Sequence, residues 1–335
     1  MIEITSTKEL LDPSGRLATA GYATHMNFNY DKSAVKCPPL RLKEWDFYQV
    51  HFDDRYVLQM TVGHVSYAVQ ISAALLDLQT GVCRRVGKTT ARNVSFIRSM
   101  PTNPEVPHTL RYFSNNTHVQ FDVTDKSRRL AMTFTDLAGI KAEINLEFNN
   151  VGKNKEKMVI AIPFADPRQW YLNYKENCFV VNGYCRIEDV AYDIKNGFGL
   201  LDWGRGVWPY HHNWVWGNGG TVVDGKHFGF NIGWGFGNTE AATENMFFYD
   251  NKAYKLGIVT EIQMGDTYRY VDLDKRFVFS VEPIYDNFTK TNVLWVKNKC
   301  HQLFGRWSGY VVLDNGEKIE IPPFVAFCEK AENNW

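Results

Sequence analysis

The sequence predicts an all-β protein built from antiparallel strands. Apolar and polar residues alternate with a period of two over many short segments, which is typical of strands with one buried face. Asn-Gly and Asp-Gly pairs recur between such segments, as expected for hairpins. Aromatic residues, which favour strands and pocket walls, make up 15% of the 335 residues. No long segment shows the 3.6-residue period of an amphipathic helix.

The first half of the chain contains the clearest alternation. Apolar residues occupy every second position over residues 56–62, and after Gly63 and His64 the phase reverses over residues 65–71. A reversal at a glycine predicts a bulge or a turn at that point. The same alternation predicts half-buried strands over residues 119–123, 130–134 and 144–148.

Hairpin signals dominate the second half. Each Asn-Gly or Asp-Gly pair supplies the positive φ angles of a type I′ turn, so we expect four hairpins in an antiparallel meander. Two segments, residues 6–12 and 239–246, are predicted to form short helices. The four pairs are Asn182-Gly183, Asn196-Gly197, Asp224-Gly225 and Asn315-Gly316.

One predicted strand, residues 228–237, has an unusual composition. Its large apolar residues share one face, while the opposite face carries only Asn231 and glycines. Such a face lets another group approach the backbone closely. Two occupants are consistent with it: a ligand, or tryptophans of a neighbouring strand such as Trp214 and Trp216. We favour the packing interpretation.

The chain is expected to divide into two β domains. Pro163 and Pro167 interrupt the strand pattern, so we place a boundary there and assign residues 1–165 and 166–335 to an N-terminal and a C-terminal domain. Each part has the size of a small β-barrel.

Composition and motifs exclude several classes of function. The formal net charge is zero, and basic residues do not cluster with aromatic ones, which argues against a nucleic-acid partner. The sequence has no P-loop, no nucleophile elbow, no metal-ligand spacing and no apolar run long enough for a transmembrane helix, so we expect neither cofactor nor metal. The six cysteines are scattered and residues 1–5 do not resemble a signal peptide, so we expect a cytoplasmic protein.

Residues 202–217 form the most informative segment. It contains an acid, an arginine, four tryptophans and two histidines, which indicates a pocket wall. Arg205 is expected to hold Asp202 ionised, so that Asp202 positions a water or acts as a base. The alternative is a buried ion pair that only stabilises a barrel corner. His211 and His212 are adjacent and face opposite sides of a strand, so they are not expected to bind one metal.

A second carboxyl comes from Glu244, next to the apolar run 246–249. Desolvation there would raise its pKa and suit it to protonate a weak base such as an alkene. The alternative is a turn residue that faces solvent. The residues expected to contact a ligand, or else to fill the core, are Trp203, Trp208, Tyr210, His211, Trp214, Trp216, Trp234 and Asn245.

These motifs resemble the family called domain of unknown function 2804. The resemblance rests on Asp202-Trp203-Gly204-Arg205-Gly206 with Trp208-Pro209, on Trp214-x-Trp216-Gly217 and on Thr243-Glu244-Asn245; residues 42–46, 308–317 and 327–330 agree with it. It implies a calycin-type fold of two lipocalin-like barrels or half-barrels, similar to that of carotenoid 1,2-hydratase, the AttH proteins and tocopherol cyclase. By analogy it also implies an aromatic-lined cavity and acid-initiated hydration or cyclisation of an isoprenoid.

Three functions therefore stay open at this point. The first is a cofactor-free enzyme on a small apolar or isoprenoid-like molecule, with Glu244 as acid, tryptophans stabilising the cation, and Asp202 held by Arg205. The second is a carrier of a lipid or hydrophobic metabolite, whose cavity would expose no acid. The third is a carbohydrate-processing enzyme, which needs paired carboxyls across an open groove. The oligomeric state is not predicted.

Overall fold

The computed structural model describes residues 1–38, 40–137, 139–293 and 296–335, and its regular structure is almost entirely β. In these ranges a 3-10 helix spans Lys32–Ala34 and α1 spans Val94–Ser99. The short helices predicted over residues 6–12 and 239–246 are wrong. Lys8 and Glu9 pair with a strand instead, and Asn245 accepts from Gly233 N and donates to Gly257 O, which ties that segment to its neighbours.

Over the described residues, the first part of the chain forms short and medium strands followed by two long ones. They are β1 (Lys8–Glu9), β2 (Gly21–Ala23), β3 (Phe28–Asn29), β4 (Leu42–Phe52), β5 (Tyr56–His64), β6 (Ala68–Asp77), β7 (Val82–Ala91), β8 (His108–Ser114), β9 (Thr117–Val123), β10 (Arg128–Leu137), β11 (Ile140–Asn149), β12 (Met158–Pro163), β13 (Trp170–Ile187) and β14 (Val190–Val207).

The remaining strands follow a break of three residues. Those in the described ranges are β15 (His211–Val223), β16 (Lys226–Trp234), β17 (Met246–Tyr249), β18 (Lys252–Lys255), β19 (Val259–Met264), β20 (Thr267–Asp272), β21 (Phe277–Val293), β22 (Val296–Val312) and β23 (Lys318–Asn334).

The molecule is built mainly from two curled antiparallel sheets, each a half-barrel, as the sequence predicts, and β1 and β3 form a separate two-stranded parallel sheet. In the described part of the chain, the first sheet follows the order β7-β6-β5-β4-β14-β13-β11-β10-β9-β8, with β12 and β2 attached beside β13. The second sheet follows the order β18-β17-β16-β15-β23-β22-β21-β20-β19. Each sheet encloses its own apolar core. Burial of these apolar faces is the main source of stability for such a fold.

The predicted reversal at Gly63 and His64 is confirmed as a turn, because β5 ends at His64 and β6 begins at Ala68. The strands predicted over residues 119–123, 130–134 and 144–148 lie within β9, β10 and β11, with alternate residues buried.

Two of the four hairpin predictions are confirmed. Asp224 and Gly225 join β15 to β16 with φ angles of 50° and 77°, as a type I′ turn requires. Asn315 and Gly316 lie in the connection between β22 and β23, where Gly316 N donates to Leu313 O.

The other two pairs do not form hairpin turns. Asn182-Gly183 lies inside β13 and Asn196-Gly197 inside β14, at a bulge where the pairing shifts between Val181 and Gly183. The Asn182 side chain accepts from Asn196 N at 3.0 Å, so the two motifs face each other across the strands. A bulge lets two strands of this length bend around the barrel, and here one residue of each pair has a positive φ, Gly183 at 137° and Asn196 at 52°.

The strand order shows where the chain passes from the first sheet to the second. β13 and β14 belong to the first sheet, and the chain changes sheet between Val207 and His211. The division into residues 1–165 and 166–335 stays a prediction about folding units. No helix in the described ranges has the length and apolar character needed to span a membrane.

Candidate functional site

A cavity of about 320 Å³ lies between the two sheets. Its volume falls within the usual range for small-molecule sites. Its wall contains nine aromatic residues, three carboxyl groups, a lysine and an arginine, Arg85. The residues that matter below are Trp45 and Phe47 of β4, Tyr171 and Lys175 of β13, Asp202 of β14, Trp214 and Trp216 of β15, Trp234 of β16, Glu329 of β23, and Trp208, Phe236, Glu244 and Trp335.

The alternation of β14 decides which residues of the 202–217 segment reach this cavity. Asp202 faces it, whereas Trp203 and Arg205 point to the opposite side, into the first half-barrel. Gly204 shares the face of Asp202. A Cβ there would come within 2.1 Å of the Trp45 ring, so the glycine is what allows this indole to lie against β14 and line the cavity.

The predicted ion pair between Asp202 and Arg205 does not form, because an offset of three places the two side chains on opposite faces of a strand. Arg205 instead binds Asp46 at 2.9 Å and Glu44 at 3.4 Å, and it donates to the Trp45 carbonyl oxygen at 2.6 Å. Its guanidinium also lies 3.8 Å from the centroid of the Trp203 ring. These contacts place Arg205 in the interior of the first half-barrel.

Lys175 takes the position that the sequence analysis gave to the arginine. Its Nζ atom lies 3.1 Å from Asp202 Oδ1, 3.6 Å from Glu244 Oε2 and 3.9 Å from the centroid of the Trp216 ring. Asn173, on the same face of β13, donates to Asp202 Oδ1 at 2.6 Å. Sequence reasoning missed Lys175; the available signal was its offset of two from Asn173, which places both polar side chains on one face of the strand.

Glu244 is the buried acid of this group. Burial raises the pKa of Glu244, and the nearby charge of Asp202 raises it further, while Lys175 and a hydrogen bond from Asn231 lower it. Asn231 Nδ2 also donates to the Glu244 carbonyl oxygen at 2.8 Å, which holds the backbone in place. The carboxyl is therefore desolvated and faces the cavity.

The glycine-rich face of β16 explains how Glu244 fits. A Cβ on Gly233 would meet Glu244 Oε2 at 3.2 Å, and a Cβ on Gly229 would meet Cys178 Sγ at 2.8 Å. The glycine face of β16 therefore packs against the Glu244 carboxyl at Gly233 and against Cys178 of β13 at Gly229. Trp216 is the cross-strand partner of Gly233, and its Nε1 atom donates to Asn231 Oδ1 at 2.7 Å.

Glu329 is the third carboxyl group of the cavity wall, and the sequence analysis did not predict it. Trp214 Nε1 donates to its Oε1 atom at 2.6 Å, and Gln302 Nε2 donates to Oε2 at 3.2 Å. Burial raises the pKa of Glu329. The only signal available was its place within residues 327–330, one of the segments on which the family resemblance rests.

Several residues expected to contact a ligand lie elsewhere. Trp208, Trp214, Trp216 and Trp234 line the described cavity, but Trp203, Tyr210, His211 and Asn245 are not part of its wall. His211 is exposed and its Nδ1 atom lies 2.7 Å from Asn334 Oδ1. Within the described ranges, no three His, Cys, Asp or Glu side chains are grouped as metal ligands would be.

The chain was compared with protein families and with proteins of known sequence or structure. The family model described as "Domain of unknown function (DUF2804)" matches residues 1–335. No curated protein matches the chain in sequence.

Three crystal structures share the fold at very low identity. A protein designated AttH from Nitrosomonas europaea has a TM-score of 0.51 and 12% identity, with 90% of this chain and 95% of that chain covered. Kievitone hydratase from Nectria haematococca has a TM-score of 0.50 and 10% identity, with 98% of each chain covered. The protein CghA has a TM-score of 0.50 and 9% identity, with 99% and 96% covered. Similarity at this level concerns the fold alone.

Proposed function

Since the chain belongs to the domain of unknown function 2804 family, in agreement with the sequence resemblance, and shares its fold with a hydratase, we propose that it is a cofactor-free enzyme that protonates an alkene. The substrate is a small apolar or isoprenoid-like molecule, and the outcome is hydration or cyclisation. The observation that carries the proposal is that Asp202 and Glu244, both in contact with Lys175, face one aromatic cavity.

Glu244 is the proton donor in this proposal. Because burial raises the pKa of its carboxyl, a larger fraction stays protonated near neutral pH than for an exposed glutamate. Its proton adds to one alkene carbon, and a carbocation forms at the other. The π face of Trp214 stabilises that cation. Trp208 and Trp216 are less suited to this role, because Lys43 and Lys175 already lie over their rings.

Asp202 completes the reaction. Asn173 and Lys175 hold its carboxylate, which positions a water for attack on the cation and accepts the proton that the water releases. That proton returns from Asp202 to Glu244 by way of Lys175, which contacts both carboxyl groups. Atoms and charges therefore balance over one turnover. In a cyclisation, a second alkene or hydroxyl of the substrate attacks instead of the water, and the proton lost goes to Asp202. We assign Arg205 a structural role only.

The test uses deuterium. The protein is incubated with geraniol or farnesol in D2O, and products are followed by mass spectrometry. We expect addition of D2O or deuterium-labelled cyclic product with the unmodified protein, and loss of turnover by a factor of about 10² or more in Glu244→Gln and Asp202→Asn. Ligand binding, followed by tryptophan fluorescence, should persist.

Glu240→Gln is the matched control, because Glu240 is exposed in the segment that precedes Glu244. No deuterium incorporation by the unmodified protein, or full activity in both site variants, would contradict the mechanism. Mass spectrometry of small molecules that co-purify with the native protein then identifies the natural ligand class.

Two other functions fit less well. A carrier without chemistry would expose no acid to its cavity, yet Asp202 and Glu244 both line it. A glycosidase needs its two carboxyls separated so that a glycosidic oxygen or a water fits between them. Here the Lys175 ammonium contacts both carboxyls, where that oxygen would have to lie. The expected cytoplasmic location stays a prediction.

A further inference from the structure

Within the described ranges, three buried polar atoms without a hydrogen-bond partner are grouped around Trp208 and Trp335, two residues of the cavity wall. They are Lys43 Nζ, Trp208 Nε1 and His212 Nε2. Lys43 and Trp208 are each 1% exposed, and His212 is 9% exposed. Buried polar groups are nearly always hydrogen-bonded, and each one left unpaired costs free energy, so a cluster of them indicates a group that binds there.

The geometry ties these atoms to the cavity wall. Lys43 Nζ lies 4.4 Å from the centroid of the Trp208 ring and 4.9 Å from that of Trp335. The His212 ring lies 5.9 Å and 5.0 Å from the same two rings. Trp208 and Trp335 line the cavity, whereas Lys43 and His212 lie behind these two rings and are not part of its wall. Lys43 also shares a strand face with Trp45 and Phe47, which line the cavity as well.

The charge at this end is positive and uncompensated. Arg41 lies close enough to disfavour the ammonium form of Lys43, and among the described residues no carboxylate side chain contributes a counter-charge to it. Burial and Arg41 together lower the pKa of Lys43 to about 7, with a small opposing effect of Cys37. Lys175, the lysine of the cavity wall, differs because it contacts two carboxylates.

His212 can adapt to an anion. Its Nδ1 atom lies 3.1 Å from the Pro209 carbonyl oxygen, which only accepts, so Nδ1 carries the hydrogen and Nε2 holds a lone pair in the neutral ring. Burial and Lys43 lower the pKa of His212 to about 4. A negative charge beside Nε2 would favour its protonation and turn it into a third donor.

We propose that Lys43, Trp208 and His212 form a carboxylate subsite, so that the ligand is an amphipathic molecule with an apolar body and one carboxylate. The apolar body lies against the aromatic wall, and the carboxylate accepts from Lys43 Nζ and Trp208 Nε1. Trp335 is partly exposed, whereas Trp208 is buried, so the carboxylate enters past Trp335. This inference rests on the proposed function for the cavity it uses and deepens it by naming the substrate class.

The test compares two probes that differ in one charge, decanoate and methyl decanoate, at neutral pH by titration of tryptophan fluorescence. We expect the unmodified protein to bind decanoate about tenfold or more tightly than the ester. In Lys43→Met the affinity for decanoate should fall to that of the ester, while the ester binds as before. Trp208→Phe keeps an aromatic side chain but removes the indole Nε1–H donor. It should weaken decanoate binding about threefold or more.

Lys195→Met is the surface control, because that side chain is 80% exposed, and it should keep the preference for decanoate. Unchanged ester binding shows that each variant is folded. Equal affinity for both probes in the unmodified protein, retention of the preference in Lys43→Met, or binding of neither probe would overturn the subsite. Because no turnover is measured, Lys43-dependent binding together with failure of the deuterium assay would reject the proposed chemistry and keep the subsite.

Discussion

The Nζ atom of Lys175 lies 3.6 Å from Oε2 of Glu244, and these two residues come from different half-barrels. Lys175 belongs to β13 of the first sheet, and Glu244 lies two residues before β17 of the second. Their contact joins the sheets at the cavity and places the positive charge of Lys175 beside the Glu244 carboxyl group. The site therefore exists only when the two half-barrels are assembled.

Lys175→Gln should shift the pH dependence of activity. Because the Lys175 charge lowers the pKa of Glu244, its removal raises that pKa further. The protonated acid then persists to higher pH, so the alkaline limb of the kcat profile moves upward while kcat itself falls. The pH profile of the deuterium assay measures this. An alkaline limb at the same pH as in the unmodified protein would show that Glu244 is not the titrating acid.

Glu329→Gln should change how stability depends on pH. Burial raises the pKa of Glu329 in the folded state above its ordinary value of 4.5. The folded state therefore holds this proton to higher pH than the unfolded state, and the contribution of Glu329 to the free energy of unfolding falls as pH rises from about 4.5 to the folded pKa. In urea unfolding, the free energy of unfolding of Glu329→Gln should rise relative to that of the unmodified protein over that pH range. A difference that does not vary with pH would contradict the assignment.

Arg205→Met should destabilise the fold. Arg205 is buried between Glu44 and Asp46, and removal of one partner of a buried ion pair costs about 3–5 kcal/mol. Urea unfolding measures the loss. Arg129→Gln is the control, because the Arg129 side chain is 71% exposed and its pair with Glu147 should contribute less than about 1 kcal/mol. Equal losses in the two variants would refute a structural role specific to Arg205.

Gly204→Ala should displace Trp45 from the cavity wall. The new Cβ would lie within 2.1 Å of the Trp45 ring, so the indole must move, with a cost of about 1–3 kcal/mol in unfolding free energy. Ligand affinity should fall with it. Gly257→Ala is the control, because a Cβ there meets nothing within 4 Å. Unchanged decanoate affinity in Gly204→Ala would mean that Trp45 does not shape the binding surface.

The sequence predicted the fold well because period-two alternation is a local property. Residues 56–62, 119–123 and 144–148 each carry their own pattern of buried and exposed positions, and each proved to be a strand. The Asn-Gly pairs were less reliable. A positive φ suits both a hairpin turn and a bulge, and only the length of β13 and β14 decides between them.

The sequence also predicted part of the site, because several cavity residues lie within one short segment. Residues 202–217 supply Asp202, Trp208, Trp214 and Trp216 to the cavity, so their density was informative. Trp203 and Arg205 are adjacent to Asp202 in sequence but lie on the other face of β14. Alternation alone could have separated them, because an odd offset reverses the face.

The sequence by itself determined which segments become strands, which side of each strand is buried, and which aromatic-rich segment borders a cavity. The tertiary structure alone decided that Lys175, Asp202, Glu244 and Glu329 share that cavity, and that Lys43 and His212 meet beside Trp208. The physical reason is that strand formation depends on residues a few positions apart. The site instead joins Lys175 and Asp202 of the first sheet to Glu244 and Glu329, which lie 42 to 154 residues away in the sequence and meet them only when the two sheets pack together.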